Sequence, residues 1–150
     1  MATKPTQQET ASSKLISRWE QLGQKLASLA EEVPENKFEY RPVDEVRTFA
    51  DVLRHIAFWN RYVADSARGK KGDDTANELP KSEFSTKAQV LDALKHSTAD
   101  VSAALKQQKL GLAPEMAETL VAFIEHNCEH YGQLVVYARL NGIVPPASRG

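Results

Sequence analysis

The chain has 150 residues, of which 41% are hydrophobic and 26% are charged, and its formal net charge is −1. This balance excludes a strongly basic nucleic-acid-binding domain and a disordered chain. No run reaches the roughly 20 apolar residues that span a bilayer, and residues 1–9, expected to form a flexible tail, lack the apolar core of a signal peptide. The lone Cys128 forbids an internal disulfide and fits a reducing compartment. We therefore expect one cytoplasmic domain over residues 1–150, without a membrane or nucleic-acid partner.

The first two predicted elements are amphipathic helices. Between about residues 10 and 32, apolar side chains recur at alternating spacings of four and three, which places them on one helical stripe: Leu15, Trp19, Leu22, Leu26, Leu29 and Val33. A second helix is predicted over about residues 48–68. Thr48 and Asp51 resemble a capping box at its start, and Gly69 is a suitable stop.

A long polar segment, residues 69–85, separates the second helix from the third. Loops of this length are either crossovers or functional. A crossover lets the second and third helices run parallel, which a short turn does not allow.

Two further amphipathic helices are predicted in the second half of the chain. The third covers about residues 86–108, with Ser85 as its cap. The fourth begins at Pro114 and ends at Asn141–Gly142, because glycine favours a helix end and two prolines follow at 145–146. Four helices with one apolar stripe each can bury those stripes against one another. The sequence therefore predicts an all-α four-helix bundle.

Three histidines lie on or beside the inward faces of these helices. His126 and His130 are four residues apart, so they project from one face of the fourth helix. His55 lies between apolar positions of the second helix, whereas His96 lies off the stripe of the third and is expected at the surface. Buried imidazoles need partners, and a metal ion uses neutral rings as ligands. Three nitrogen ligands leave a coordination position open, and they suit zinc, nickel, copper or iron.

Other interpretations of these residues remain open. A histidine pair with this spacing also occurs in ordinary cores, and the residue after His126 is not the glutamate of a metalloprotease. Cys128 points away from the pair, at about 200° around the helix. Trp59 and Tyr62 either wall an open pocket or pack in the core. Gly132 suggests a close helix approach beside the pair.

Two stretches resemble the DinB-like family of damage-inducible and thiol-transferase proteins, and the resemblance covers about residues 10–148. They read Phe49-Ala-Asp-Val-Leu-Arg-His55-Ile-Ala and His126-Asn-Cys-Glu-His130-Tyr-Gly-Gln-Leu-Val-Val-Tyr-Ala-Arg-Leu-Asn-Gly142-Ile-Val-Pro-Pro. The family fold implies an up-down-down-up bundle with a long crossover between helices two and three. The family's metal triad, one histidine from helix two and a pair from helix four, corresponds to His55, His126 and His130.

The resemblance also implies a function. Characterised relatives include S-transferases that use thiols such as bacillithiol, and a mycothiol-dependent isomerase. The implied activity is a transferase that uses a divalent metal, zinc or nickel, and joins a low-molecular-weight thiol to a small electrophile. The implied assembly is a homodimer, and no catalytic base can be assigned. The alternatives are a non-catalytic, stress-associated bundle that binds metal or a small ligand, and a purely structural bundle.

Overall fold

The computed structural model describes residues 10–150, so the tail expected over residues 1–9 lies outside it. Four α-helices and two short 3-10 turns make up the described chain: α1 (Ala11–Glu32), α2 (Phe49–Ala67), α3 (Lys87–Lys106) and α4 (Pro114–Leu140), with turns at Glu35–Lys37 and Pro146–Ser148. No strand occurs in this part of the chain. None of its helices is both long and apolar enough to cross a membrane. The predicted all-α four-helix bundle is confirmed.

The start of α2 shows only half of the predicted capping box. The Thr48 hydroxyl accepts a hydrogen bond from the backbone N–H of Asp51 at 3.1 Å. The carboxylate of Asp51 turns away to accept from the guanidinium of Arg54. At the other end, Gly69 has a φ of 71°, which suits glycine and stops the helix as expected.

The start of α3 corrects the sequence prediction, because its cap is Thr86 and not Ser85. Gln89 lies three residues after Thr86, which is the spacing that a capping box requires. The Thr86 hydroxyl accepts from the Gln89 N–H at 3.2 Å, and the Gln89 side chain accepts from the Thr86 N–H at 3.1 Å. The Ser85 N–H also donates to that side chain, at 3.0 Å.

Contacts between α1 and α3 show that these helices are antiparallel. The Trp19 indole N–H donates to the Thr98 carbonyl at 3.1 Å, and Lys87 Nζ donates to the Val33 carbonyl at 2.7 Å. Later residues of α1 therefore meet earlier residues of α3.

By contrast, α2 runs parallel to α3 and antiparallel to α4. Asn60 contacts Ser97, and Arg68 forms an ion pair with Asp100, so residue numbers rise together in α2 and α3. Across the α2–α4 interface the order reverses. Arg47, just before α2, contacts Tyr137 near the end of α4, whereas Asn60 contacts Asn127 nearer its middle. The bundle is up-down-down-up, and residues 69–85 form the predicted crossover.

A layer of polar side chains lies between the two larger of the three apolar clusters in the interior. One cluster contains Leu22, Ile56, Leu94 and Leu134, and the other contains Trp19, Val63, Val101 and Leu120. Between them along α2, α3 and α4 lie the residues that we call the polar layer, Asn60, Ser97, Thr98 and Asn127. Because buried amides and hydroxyls are costly without partners, these side chains bond to one another. The three histidines lie at the edge of this layer, between α2 and α4.

Candidate metal centre

The α2–α4 interface brings His55, His126 and His130 together. One ring nitrogen from each lies within 4.8 Å of the other two, and the Nε2 atoms of His55 and His126 are 2.9 Å apart. His55 is buried, whereas the other two rings are half-buried. The cluster therefore lies at the rim of the bundle, with two of its three rings partly exposed.

Each of the three rings has an oxygen acceptor beside its Nδ1 atom. The pairs are His55 with the Asn77 carbonyl at 2.6 Å, His126 with Asn127 Oδ1 at 3.0 Å, and His130 with Gln133 Oε1 at 2.9 Å. An acceptor at Nδ1 favours the tautomer that carries the ring proton there and leaves a lone pair on Nε2. In that tautomer each ring has its Nε2 lone pair available for one shared ion.

This set of donors fits a divalent metal ion. Lone pairs that converge without a cation repel one another, and a metal bound by neutral imidazoles removes that repulsion. In a tetrahedral zinc site with Zn–N bonds of about 2.0–2.1 Å, neighbouring nitrogens lie roughly 3.3 Å apart. The separation of 2.9 Å between His55 and His126 is within a small side-chain movement of that value.

Burial favours the neutral form of two of the three rings, those of His55 and His126. Burial lowers the pKa of His55 to about 4, and the positive charge of Arg47 acts in the same direction, while the hydrogen bond to Asn77 opposes it. Burial also lowers the pKa of His126, and the side chain of Asn127 opposes that shift. Because metal ligation needs the unprotonated ring nitrogen, lowered pKa values favour the state that binds a cation.

The crossover loop, residues 69–85, completes the site by supplying Asn77. The end of this loop is held by the buried Arg54, whose Nε donates to the Phe84 carbonyl at 2.8 Å. The Leu79 N–H donates to the Arg54 carbonyl at 3.3 Å. The long loop is therefore both a crossover and a part of the site.

An aromatic groove opens beside the histidines. The rings of Trp59, Tyr62 and Phe123 lie with centroids 5.4 to 6.0 Å apart, and Phe123 is 5.7 Å from His126. These three half-buried rings line a groove of about 470 Å³, together with Glu115, Glu118, Thr119 and Ala122. Trp59 and Tyr62 therefore line a groove next to Phe123, and Trp59 also packs against a buried apolar cluster.

Other residues singled out in the sequence lie away from this site. His96 is exposed on α3, 3.0 Å from Asp92, and Cys128 is also exposed. The suggestion that Gly132 allows a close helix approach is wrong, because a Cβ atom there would meet nothing within 4 Å. Gly132 lies two residues after His130, so it points about 200° away from that ring, toward solvent.

A larger cavity, of about 730 Å³, lies between α1 and α3, lined mainly by small and charged side chains. Its charged groups include Lys106, which pairs with Glu20. Across residues 10–150, the histidine cluster is the one group of three or more His, Cys, Asp or Glu side chains placed to hold an ion. Among the described residues, this candidate ion site therefore lies at the α2–α4 rim.

The sequence interpretation missed the amides around the cluster. Asn60 and Asn127 could have been noticed, since each is a polar residue on an apolar helix face. Gln133 also has a signal, because it lies three residues after His130 and so shares its face. Asn77 has none, since a backbone carbonyl on a loop is available from any residue type.

A family model of the DinB superfamily matches residues 18–134, which include all three histidines. No curated protein matches the chain.

Proposed function

This chain belongs to the DinB superfamily, and on that basis we propose that it is a single-domain, metal-dependent transferase that joins a low-molecular-weight thiol to a small electrophile. The observation that carries the proposal is the convergence of His55, His126 and His130, each with an oxygen acceptor at Nδ1. Zinc or nickel is the proposed ion, since imidazole nitrogens suit both. The proposed compartment is the cytoplasm, in keeping with one free cysteine, Cys128.

In this proposal the three histidines hold the ion through their Nε2 atoms. When bound, the ion would act as a Lewis acid that lowers the pKa of a thiol and favours its thiolate. Three protein ligands leave a position open for that thiol. Burial of His55 and His126 keeps both rings neutral, so that protons do not compete for their nitrogens at neutral pH.

The surroundings of the cluster suggest where the two substrates bind. The positive charge of Arg47 acts on both His55 and His126, so an anionic group of the thiol would be attracted to that side. The aromatic groove beside His126 would take the apolar part of the electrophile. In the transfer, a sulfur–carbon bond forms and the leaving group departs with its electron pair, while the thiol proton passes to water.

The proposal is tested by turnover with a chromogenic aryl halide and simple thiols, cysteine and bacillithiol among them. We expect zinc- or nickel-loaded protein to form the thioether faster than the uncatalysed mixture. The rate should fall to that background in His55→Ala and stay near wild type in His96→Ala, because His96 lies outside the cluster. One bound ion per chain without turnover for any thiol would instead favour the non-catalytic binding protein.

We also propose that the protein is a homodimer that uses the outer face of α4. This face exposes large apolar side chains: Val121 at 39%, Val136 at 54% and Leu140 at 59%. Covering them would remove apolar surface from water. Sedimentation should give about twice the chain mass of 16.7 kDa, and Val136→Lys should shift the protein toward the single chain. A wild type that sediments as one chain would contradict the dimer.

A further inference from the structure

A chain of hydrogen bonds crosses the bundle from His126 to α3. Asn127 Oδ1 lies 3.0 Å from His126 Nδ1, and Asn127 Nδ2 donates to Asn60 Oδ1 at 3.1 Å. Asn60 Nδ2 in turn donates to the Ser97 hydroxyl at 3.2 Å, which donates to the Leu94 carbonyl at 3.0 Å. We call Asn127, Asn60 and Ser97 the asparagine relay.

The last acceptor of the asparagine relay sets the direction of every bond in it. A backbone carbonyl can only accept, so the Ser97 hydroxyl gives its proton to Leu94 and accepts from the amide of Asn60. The oxygen of Asn60 then faces the amide nitrogen of Asn127, and the oxygen of Asn127 faces His126. Asn60 and Asn127 are both buried, with 0% and 3% of their surface exposed, so water does not compete for these bonds.

A second, shorter chain ends at His130. Gln133 Oε1 lies 2.9 Å from His130 Nδ1, and Gln133 Nε2 donates to the Tyr137 hydroxyl at 2.9 Å. That hydroxyl donates to the Arg47 carbonyl at 2.9 Å. We call Gln133 and Tyr137 the glutamine relay, and its direction is again set by a carbonyl that can only accept.

We propose that the two relays are tautomer locks, which keep the ring proton of His126 and His130 on Nδ1 so that both Nε2 atoms stay free for a cation. This inference rests on the proposed metal site. The opposite amide orientation would put an N–H group against Nδ1, and the proton would then move to Nε2 and block the cation. His55 needs no relay, because its Nδ1 faces the Asn77 carbonyl directly.

Matched pairs of substitutions separate this positioning role from a structural one. Asn127→Leu and Gln133→Met each remove the acceptor from one ring, whereas Asn127→Asp and Gln133→Glu retain it as a carboxylate, which only accepts. Each relay also serves as the control for the other, since the two end on different rings.

The readout is the protonation of each ring nitrogen in the metal-free protein, from long-range proton–nitrogen correlation spectra at about pH 8, above the ordinary histidine pKa of about 6.5. We expect Nδ1 of His126 and His130 to carry the proton in the wild type. Asn127→Leu should lose that preference at His126 alone, and Gln133→Met at His130 alone. Both carboxylate variants should keep it.

Zinc affinity gives a second readout. Loss of groups that orient a metal ligand weakens metal binding by about 10–100-fold, so we expect losses of this size in Asn127→Leu and Gln133→Met and recovery in the carboxylate variants.

An unprotonated Nδ1 in either wild-type ring would overturn the proposal, as would an unchanged tautomer in both folded Leu and Met variants. If Asn127→Leu does not fold, Gln133→Met and Gln133→Glu still test the proposal at His130. If the wild type shows the expected tautomers but binds no zinc, the tautomer locks are supported and the metal-dependent function is rejected.

Discussion

His126→Ala is expected to reduce the bound metal from about one ion per chain to none while the helical content stays that of the wild type. Loss of one of three ligands leaves two protein nitrogens, too few for a stable site. The fold should survive because the two apolar clusters, which include Leu120 and Leu134 on the same helix, do not depend on this ring. Elemental analysis of untagged protein, incubated with zinc and nickel, and circular dichroism measure the two quantities.

Two further variants, one at a second ligand and one outside the cluster, serve as comparisons for this result. His55→Ala should behave in the same way, since its Nε2 lies 2.9 Å from that of His126. His96→Ala removes an exposed histidine from α3 and should keep the full complement of metal. Retention of the ion by His126→Ala would point to other ligands, and an unfolded spectrum would show that the ring is structural.

The second large effect is a loss of stability on mild acidification of the metal-free protein. Because the pKa of His55 is about 4 in the folded protein and ordinarily 6.5, the unfolded chain binds more protons between these values. Stability is therefore fully present above about pH 6.5 and falls as the pH decreases through this window. Between about pH 7.5 and pH 5, His55 alone should reduce the free energy of unfolding by about 2 kcal/mol.

Urea unfolding with a chelator present measures this slope. The chosen window stays above the ordinary carboxyl pKa values of about 4, so the acidic side chains contribute little to it. His55→Gln should flatten the slope, because glutamine does not titrate and can still donate to the Asn77 carbonyl. His96→Gln is the matched control and should leave the slope unchanged. Equal slopes in the wild type and His55→Gln would show that His55 is not held neutral.

The fold was predictable because it depends on periodic patterns. The apolar stripes predict the four helices, and the length of residues 69–85 indicates the crossover, since a short turn would force α2 and α3 to be antiparallel. The misplaced cap at Ser85 was avoidable, because Gln89 has capping-box spacing to Thr86 and not to its neighbour. Gly132 shows a different limit of sequence-based prediction. A glycine within a helix indicates that no side chain is needed there, but it does not indicate whether a neighbouring helix occupies the space that a side chain would fill.

The histidine cluster was only partly predictable. Spacing places His126 and His130 on one face, but the height at which His55 meets them depends on how α2 and α4 pack, for which the family resemblance was needed. The asparagine relay could not be read from spacing, because Asn60 and Asn127 are 67 residues apart in the chain and their pairing is a property of the packed bundle. The orientation of the side-chain amides is harder still to predict, since it is fixed by backbone carbonyls at the far ends of the relays.

The crossover loop also bears on how fast an ion could enter and leave. The three histidines stand on helices that the apolar core holds, whereas Asn77 stands on an exposed segment of residues 69–85. Such a segment can open locally at a lower free energy than the whole bundle. Opening would release Nδ1 of His55 without separating α2 from α4. Because loss of a bond that orients a metal ligand weakens metal binding, the proposed ion would leave faster while the loop is open, without global unfolding.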